Sequence, residues 1–260
     1  MNGQTVELYY REYGDPQAPA LLLLHGLFGA GVNWQAVVKQ LQDRFRMILP
    51  DLRNHGRSPH HPVMDYPSLA EDVLALMDRL QLPSASLVGH SMGGKTAMWL
   101  ALRQPERVDR LVVGDIAPVI YEQRFAHIFQ GMLSVPLDTL QSREAADQYL
   151  ARHITDRAVR QYLLQNLIKV DGGWAWRFAL SVLQQSGTAL AGFPAPDEAS
   201  FAGKTLFLYG ERSDYVKPEY RDAIERYFPH ARLRMLNGTG HWLYAEQPEA
   251  FAQVVRGFLC

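Results

Sequence analysis

The stretch that decides the fold is Ser86 to Gly94, which reads SLVGHSMGG. A short apolar run leads into Gly-x-Ser-x-Gly, and a helical segment rich in small residues follows. Serine in this setting lies on a strained strand-to-helix turn, and its neighbours must be glycine because a side chain there would collide with backbone. The pattern predicts a nucleophile elbow that presents the hydroxyl of Ser91 at the top of a sheet.

Short apolar runs elsewhere in the chain share the strand-like pattern of residues 86–88. Buried strands are predicted at residues 20–24, 47–49, 111–113 and 205–208. Residues 5–11 alternate weakly between apolar and polar side chains. This segment is predicted to be a further strand.

Helical patterns lie between the predicted strands. In one of them apolar residues recur at helical spacing from Leu69 to Leu80, and Ser68 with Glu71 forms a capping box at its start. The alternation predicts an α/β fold, a mostly parallel sheet wrapped by helices on both faces. Ligands of such sheets bind outside the carboxyl ends of the strands, so polar residues at strand ends are candidate site residues.

Strand patterns stop near residue 119 and return only after residue 202. Helices are predicted near residues 121–133, 143–153, 156–169 and 176–185, followed by a connection rich in Gly, Pro and Ala. We therefore expect two units. A core would comprise residues 1–118 and 203–260, and a helical cap would comprise residues 119–202.

The amino-acid composition argues against some classes of binding partner. The 260 residues are 47% hydrophobic and 20% charged, as in folded globular proteins. Lys and Arg number 26 against 27 Asp and Glu, without a basic run, so we expect no nucleic-acid partner. No apolar run approaches the roughly 20 residues that cross a bilayer, and residues 1–15 lack a secretory pattern. We expect a cytoplasmic protein without a membrane partner; its oligomeric state is unknown.

A serine hydroxyl needs a neighbouring base to act as a nucleophile near neutral pH. His241 lies in the glycine-rich stretch NGTGHW, just after the apolar residues 233–236. Histidine in a loop at a strand end fits the base of a Ser-His-carboxylate set. We therefore expect His241 to activate Ser91.

Residues 25–29, HGLFG, match the H-G-x-x-G loop that supplies one N–H group of an oxyanion hole. Leu27 is the expected backbone donor in that loop, and Met92, next to the nucleophile, is the expected second donor. Phe28 is expected to contact substrate because this loop fixes its position. His25 is expected to be structural and to bond local backbone.

The chain resembles the α/β-hydrolase superfamily in four segments: residues 25–29, 51–58, 89–94 and 238–242. GHSMGGK, followed by GDIAPV at residues 114–119, resembles more narrowly the YbfF-type branch of small bacterial esterases. The resemblance implies an eight-stranded core and a helical cap after the sixth strand. It also implies hydrolysis of esters or thioesters without a cofactor.

The acid that orients His241 has two candidates. Many members of the superfamily carry it as G-x-x-D in the loop that here contains Asp214, but that spacing lands on Ser213 in this chain. Members resembling the YbfF-type branch carry it directly after the strand at residues 111–113, where Asp115 lies. Both candidates give the chain order Ser, Asp, His, so order does not decide between them. We favour Asp115 and keep Asp214 as the alternative acid.

Two further groups of side chains are interpreted as structural. In the loop DLRNHGRS, residues 51–58, Asp and Arg are expected to pair and cap turns. His55 of this loop, with His60 and His61, lacks Cys or carboxylate partners at ligand spacing, so no metal is expected. Aromatic residues of the cap are expected to be mainly packing, with one or two at the substrate.

These observations predict a serine hydrolase that cleaves carboxylic esters of small molecules through an acyl-enzyme, with Ser91, His241 and Asp115 as its triad. Serine at position 91 argues against epoxide hydrolases and dehalogenases, which attack through a carboxylate. The same triad also serves thioesterases, lactonases, carbon–carbon bond hydrolases and perhydrolases. A non-catalytic ligand receptor with this fold is the alternative from another class.

Overall fold

A computed structural model describes residues 5–122, 125–195 and 198–260. Within these ranges, strands form a seven-stranded sheet and a separate two-stranded hairpin. The strands are β1 (Tyr10–Tyr13), β2 (Ala20–Leu24), β3 (Arg46–Pro50), β4 (Ala85–His90), β5 (Val108–Gly114), β6 (Leu167–Val170), β7 (Gly173–Trp176), β8 (Lys204–Gly210) and β9 (Ala231–Leu236).

The large sheet has the order β1-β3-β2-β4-β5-β8-β9. All neighbours are parallel except β1, which pairs antiparallel with β3. The carboxyl ends of β2, β4, β5, β8 and β9 therefore meet at one edge of the sheet. The predicted α/β fold with a mostly parallel sheet is confirmed.

Helices cover both faces of this sheet. Their bounds are α1 (Gln35–Leu41), α2 (Tyr66–Arg79), α3 (Met92–Arg103), α4 (Ala126–Leu133), α5 (Arg143–Ala151), α6 (Arg157–Leu164), α7 (Leu180–Gln185), α8 (Gly187–Ala191), α9 (Arg221–Tyr227), α10 (Leu243–Glu246) and α11 (Pro248–Leu259). Buried residues of α1 and α11 share one apolar cluster, and those of α2 and α3 share the other. In the described ranges, no helix combines the length and apolar character needed to cross a membrane.

Strand β2 shows why its sequence is an uninterrupted apolar run. Leu21 and Leu23 belong to the cluster under α1 and α11, whereas Leu22 and Leu24 belong to the cluster under α2 and α3. All four side chains are fully buried. A strand covered on both faces needs apolar residues at every position rather than at alternate ones.

The expected eight strands are corrected to seven in the described part of the main sheet. The predicted strand at residues 5–11 enters the sheet only from Tyr10. Before that point its amide groups bond side chains instead of a neighbouring strand. The N–H of Val6 donates to Asp72 Oδ1 at 2.8 Å, and the N–H of Tyr9 donates to Ser58 Oγ at 2.9 Å.

Between β5 and β8 the chain forms α4 to α8 together with the hairpin of β6 and β7. The expectation that strands are absent from this segment is wrong. Val170 pairs with Gly173 across a two-residue loop, Asp171-Gly172, which is a strong hairpin signal, and Gly172 has φ +88°. The helix predicted at residues 156–169 therefore ends at Leu164. We refer to this part of the chain as the β5–β8 segment.

The start predicted for α2 is also wrong. The helix begins at Tyr66, and its N-cap is Asp65, whose carboxylate accepts the N–H of Ser68 at 2.8 Å. Pro67 in the first turn fits this earlier start because its missing N–H would have no partner there. Ser68 therefore lies within the first turn and does not cap the helix.

Candidate active site

Ser91 lies between the end of β4 and the start of α3, at the carboxyl edge of the sheet. Its backbone adopts φ +52° and ψ −116°, a conformation that costs a non-glycine residue energy. The N–H of Ser91 donates to Gly114 O at 2.9 Å, and the carbonyl of Ser91 accepts the N–H of Lys95 at 3.0 Å. Strand and helix therefore hold the strained turn from both sides.

The glycines around Ser91 are required by close backbone contacts. A Cβ atom on Gly89 would lie 2.2 Å from Gly93 O, and one on Gly93 would lie 2.3 Å from Leu24 O. No side chain fits at such distances. The glycines of Gly-x-Ser-x-Gly are therefore required because the backbones of β4, α3 and the end of β2 lie in contact there.

The loop after β2 packs its backbone against the elbow. A Cβ on Gly26 would lie 3.4 Å from Ser91 Cβ, so the backbone just before Leu27 runs beside the serine. A turn bond from Gly29 N–H to Gly26 O, 3.0 Å long, fixes the loop. Met92 is the first residue of α3, where an N–H has no partner within the helix. This arrangement suits the two expected backbone donors.

Two buried histidines support the loop. His25 Nε2 accepts the N–H of Leu52 at 2.9 Å, and His55 Nε2 accepts the N–H of Phe28 at 3.1 Å. Burial lowers the pKa of His25 to about 4 and that of His55 to about 3, so both rings are neutral near pH 7. The Phe28 N–H is thereby occupied, and Phe28 adopts φ +62°.

Asp115 and His241 lie together. Oδ2 of Asp115 is 2.7 Å from Nδ1 of His241. Asp115 is fully buried with φ +50°, directly after β5, and its Oδ1 accepts the N–H of Gly210 at 3.0 Å. Ser213 donates its hydroxyl to Oδ2 of the same carboxylate. Asp214, the alternative acid, is an exposed residue.

A cavity of about 240 Å³ opens beside Ser91. It brings together the serine, His241 and the loop after β2 with apolar side chains of the β5–β8 segment. The lining includes Leu27, Phe28, Phe125, Ile128, Val159, Tyr162, Leu163, Tyr215 and Trp242. Met92 lies in a second, smaller cavity of about 30 Å³ that shares Leu27 and Ser91 with the first. Ser91 therefore lines both of these apolar cavities.

The family model of the alpha/beta hydrolase fold matches residues 19–248. The chain belongs to this family.

Relatives of this α/β-hydrolase support the YbfF-type resemblance. Esterase YbfF of Escherichia coli strain K12 is 38% identical over 243 residues, which cover 92% of each chain. The mouse protein named sn-1-specific diacylglycerol lipase ABHD11 is 39% identical over 254 residues, covering 95% of this chain and 82% of the mouse protein. The solved structure of a marine microorganism esterase aligns with a TM-score of 0.95 at 35% identity, covering 98% of this chain and all of that one.

The ring of His241 in this α/β-hydrolase is held on several sides. Tyr215 stacks on it with ring centres 4.1 Å apart. His90 lies on another side at 4.6 Å, and its Nε2 is 2.8 Å from the carbonyl oxygen of His241. Burial keeps the pKa of His90 well below its usual value, so its single N–H donates to that carbonyl. The motif residue before Ser91 thus fixes the backbone of His241, a role that its position in the sequence did not reveal.

Lys95 is a further residue that sequence reasoning missed. Its Nζ donates to the carbonyls of Val119, Ala191 and Gly192 at 2.9, 2.9 and 2.6 Å. Burial lowers the pKa of Lys95 to about 7, whereas three carbonyl acceptors match the three N–H groups of an ammonium. These bonds tie the two ends of the β5–β8 segment to the helix of Ser91. The available signal was position i+4 from Ser91, one helical turn along the same face.

Aromatic residues of the β5–β8 segment divide between cavity walls and packing. Phe125 and Tyr121 line the cavities at Ser91. Phe129 and Phe178 each pack against Phe28, with ring centres 5.4 Å apart. The packing aromatics therefore hold a side chain that itself borders the larger cavity.

The loop at residues 51–58 caps neighbouring turns, but the pairing expected within it is corrected. Asp51 accepts the backbone N–H groups of Gly31 and Arg57 at 2.7 and 2.8 Å. Arg53 pairs instead with Asp72 of α2 at 2.6 Å, and both side chains are fully buried. The loop is therefore bound to α2 by an ion pair between residues that are distant in the sequence.

Proposed function

We propose that this chain is a serine hydrolase that cleaves carboxylic esters through an acyl-enzyme formed on Ser91. Relatives named as an esterase and a lipase support ester hydrolysis of the carboxylesterase type. The observation that carries the proposal is the buried carboxylate of Asp115, 2.7 Å from His241 Nδ1, with Ser91 and His241 lining one cavity. The division into a core and a cap at residues 119–202 belongs to the same proposal.

The reaction starts with His241. With its Nδ1 proton directed to Asp115, the Nε2 atom is free of a proton and accepts one from the Ser91 hydroxyl. The serine oxygen attacks the acyl carbonyl and forms a tetrahedral oxyanion. His241 then returns the proton to the leaving alkoxide, and the alcohol departs.

The oxyanion is stabilised by the backbone N–H groups of Leu27 and Met92. The start of α3 adds the positive end of a helix dipole at the same place. Water, deprotonated by His241, then attacks the acyl-enzyme and releases the acid, which restores Ser91. The carboxylate of Asp115 stabilises the imidazolium in both halves of the reaction.

Substrates with an apolar acyl or alcohol part suit the cavity lining. Phe28 and Phe125 border the larger cavity, and this is consistent with contact between Phe28 and substrate. The smaller cavity accommodates little more than one water-sized group. We expect one side of the substrate to be small and the other larger and apolar.

The test is turnover by purified protein of oxygen esters and thioesters with varied acyl length, compared with Ser91→Ala. We expect multiple turnovers by the wild type and a loss on the order of 10⁴-fold in the variant. Ser181→Ala, which changes an exposed serine of α7, is the matched control. Saturable ligand binding without product would identify a receptor instead, and thioester turnover alone would identify a thioesterase.

A further inference from the structure

A polar pocket of about 230 Å³ lies outside the proposed catalytic cavity. Three arginines from distant parts of the chain line it: Arg11 of β1, Arg57 of the loop after β3, and Arg177 after β7. Among the residues that the structure describes, none of the three forms an ion pair with a carboxylate. Three guanidinium groups in one concave site favour a bound anion.

Arg11 and Arg57 both lie against the ring of Tyr9. Their guanidinium carbons lie 5.5 and 5.1 Å from the centre of the same Tyr9 ring. Arg57 donates to the Tyr9 hydroxyl at 3.2 Å, so the ring fixes the position of that side chain.

Nη1 of Arg11 is a buried donor without a hydrogen-bond partner in the described part of the chain. Leaving a charged donor unpaired away from water costs more than leaving a neutral one. Arg11 therefore has unused hydrogen-bonding capacity beside the pocket.

Among the described residues that line the pocket, Asp51 is the one carboxylate. Its oxygens already accept the N–H groups of Gly31 and Arg57. One negative charge against three guanidinium groups leaves the pocket net positive. The carboxylate therefore reduces the attraction for an anion but does not cancel it.

We propose that this pocket binds a phosphate group through Arg11, Arg57 and Arg177. Phosphate matches the planar donor forks of several arginines. The pocket volume exceeds the space of a few waters, so carbon atoms attached to the phosphate also fit.

An open cleft borders both the pocket and the proposed catalytic cavity. The cleft shares Asn33 and Gln165 with the arginine pocket, and it shares Tyr162, His241 and Trp242 with the catalytic cavity. His241 protonates the leaving group in the proposed reaction, so the cleft leads away from Ser91 on the leaving-group side. The phosphate is either carried by the leaving alcohol or free in solution.

Binding is tested by titrating inorganic phosphate into full-length Ser91→Ala protein at constant ionic strength, followed by calorimetry. We expect saturable binding that Arg11→Gln and Arg177→Gln each weaken about tenfold or more. Arg57→Gln changes an exposed side chain and should weaken binding without risk to folding. Arg226→Gln, which changes an exposed arginine of α9, is the matched control and should bind as the parent.

The source of the phosphate is tested with two esters, 1-acylglycerol and 1-acylglycerol 3-phosphate, on protein with Ser91 intact. A phosphate on the leaving group predicts a lower KM for the phosphorylated ester, and Arg177→Gln should remove that advantage. Equal KM values with phosphate binding retained would assign the site to free phosphate. Absence of saturable binding, or binding unchanged in all three arginine variants, would overturn the proposal. The titration does not depend on hydrolysis. A negative result would therefore overturn the phosphate site without bearing on the proposed ester hydrolysis.

Discussion

Ser213 donates its hydroxyl to Oδ2 of Asp115. The same oxygen lies 2.7 Å from His241 Nδ1, so the serine and the imidazole share one acceptor. Ser213 occupies the position where many superfamily members carry the acid itself. The carboxylate that pairs with His241 here comes from the end of β5, and the loop after β8 contributes a hydroxyl to it.

Replacing each aspartate in turn shows which of the two candidates, Asp115 or Asp214, is the acid that orients His241. Asp115→Asn removes the charge that stabilises imidazolium and allows the wrong tautomer, so we expect kcat to fall by about 10⁴. Asp214→Asn should stay within about tenfold of wild type. Steady-state kinetics of both variants on one ester checks this, with circular dichroism to confirm folding. The opposite ranking would assign the acid to Asp214.

The contact of Ser213 with Asp115 predicts that the acid can be moved between loops. In Asp115→Asn, the second change Ser213→Asp places a carboxylate in the loop after β8, beside His241. We expect the double variant to recover about tenfold or more of the kcat lost by Asp115→Asn. Ser213→Asn in the same background is the uncharged control and should not recover activity. Recovery by both would show that charge is not the cause.

Phe125 should set chain-length preference because it lines both cavities at Ser91. Phe125→Ala should change KM across a series of acyl lengths by several-fold to about a hundredfold and change kcat less. This range corresponds to about one to three kcal/mol for the lost apolar contact. Leu133→Ala is the control, since it changes an exposed apolar side chain of α4 that lies outside both cavity linings. A uniform fall in kcat at every chain length would contradict this assignment.

Stability should fall as the pH decreases from about 6.5 to about 4. His25 has its pKa lowered from 6.5 to about 4 by burial, so in this window the unfolded chain binds the proton and the folded chain does not. The unfolded state is therefore favoured by up to about 3 kcal/mol below the window. Above pH 6.5 the ring is neutral in both states, and this contribution vanishes.

Urea midpoints measured from pH 4 to 7.5 check this dependence. His25→Gln should be less stable near neutral pH, because the ring that places Nε2 at the Leu52 N–H is lost from a packed site. Its stability should depend less on pH. His230→Gln, which changes an exposed histidine, should keep the wild-type slope. An unchanged slope in His25→Gln would mean that other groups cause the acid sensitivity.

The sequence predicted the fold best where one physical requirement determines several adjacent residues. Strand β2 matches its apolar run because both of its faces are buried. The elbow glycines follow from backbone contacts that no side chain permits. The β6–β7 hairpin is not apparent from apolar spacing, because the helical pattern of residues 156–169 continues into β6 and only the Asp171-Gly172 turn marks the hairpin.

Parts of the site depend on contacts between distant residues, which local patterns do not reveal. The acid could not be chosen from chain order, because the ends of β5 and β8 are neighbours only in the folded sheet. The carbonyl partners of Lys95 and His90 lie far along the chain. Arg11, Arg57 and Arg177 meet in the same way, and each alone resembles an ordinary surface arginine.

The central claim is that Ser91 forms the covalent intermediate. Wild-type protein should be treated with a fluorophosphonate, and the adduct located by peptide mass spectrometry. The account predicts one equivalent of phosphonate on Ser91, formed much more slowly in Asp115→Asn because His241 then activates the serine poorly. Stoichiometric modification of a different residue, or a folded and active protein that does not react at Ser91, would contradict it.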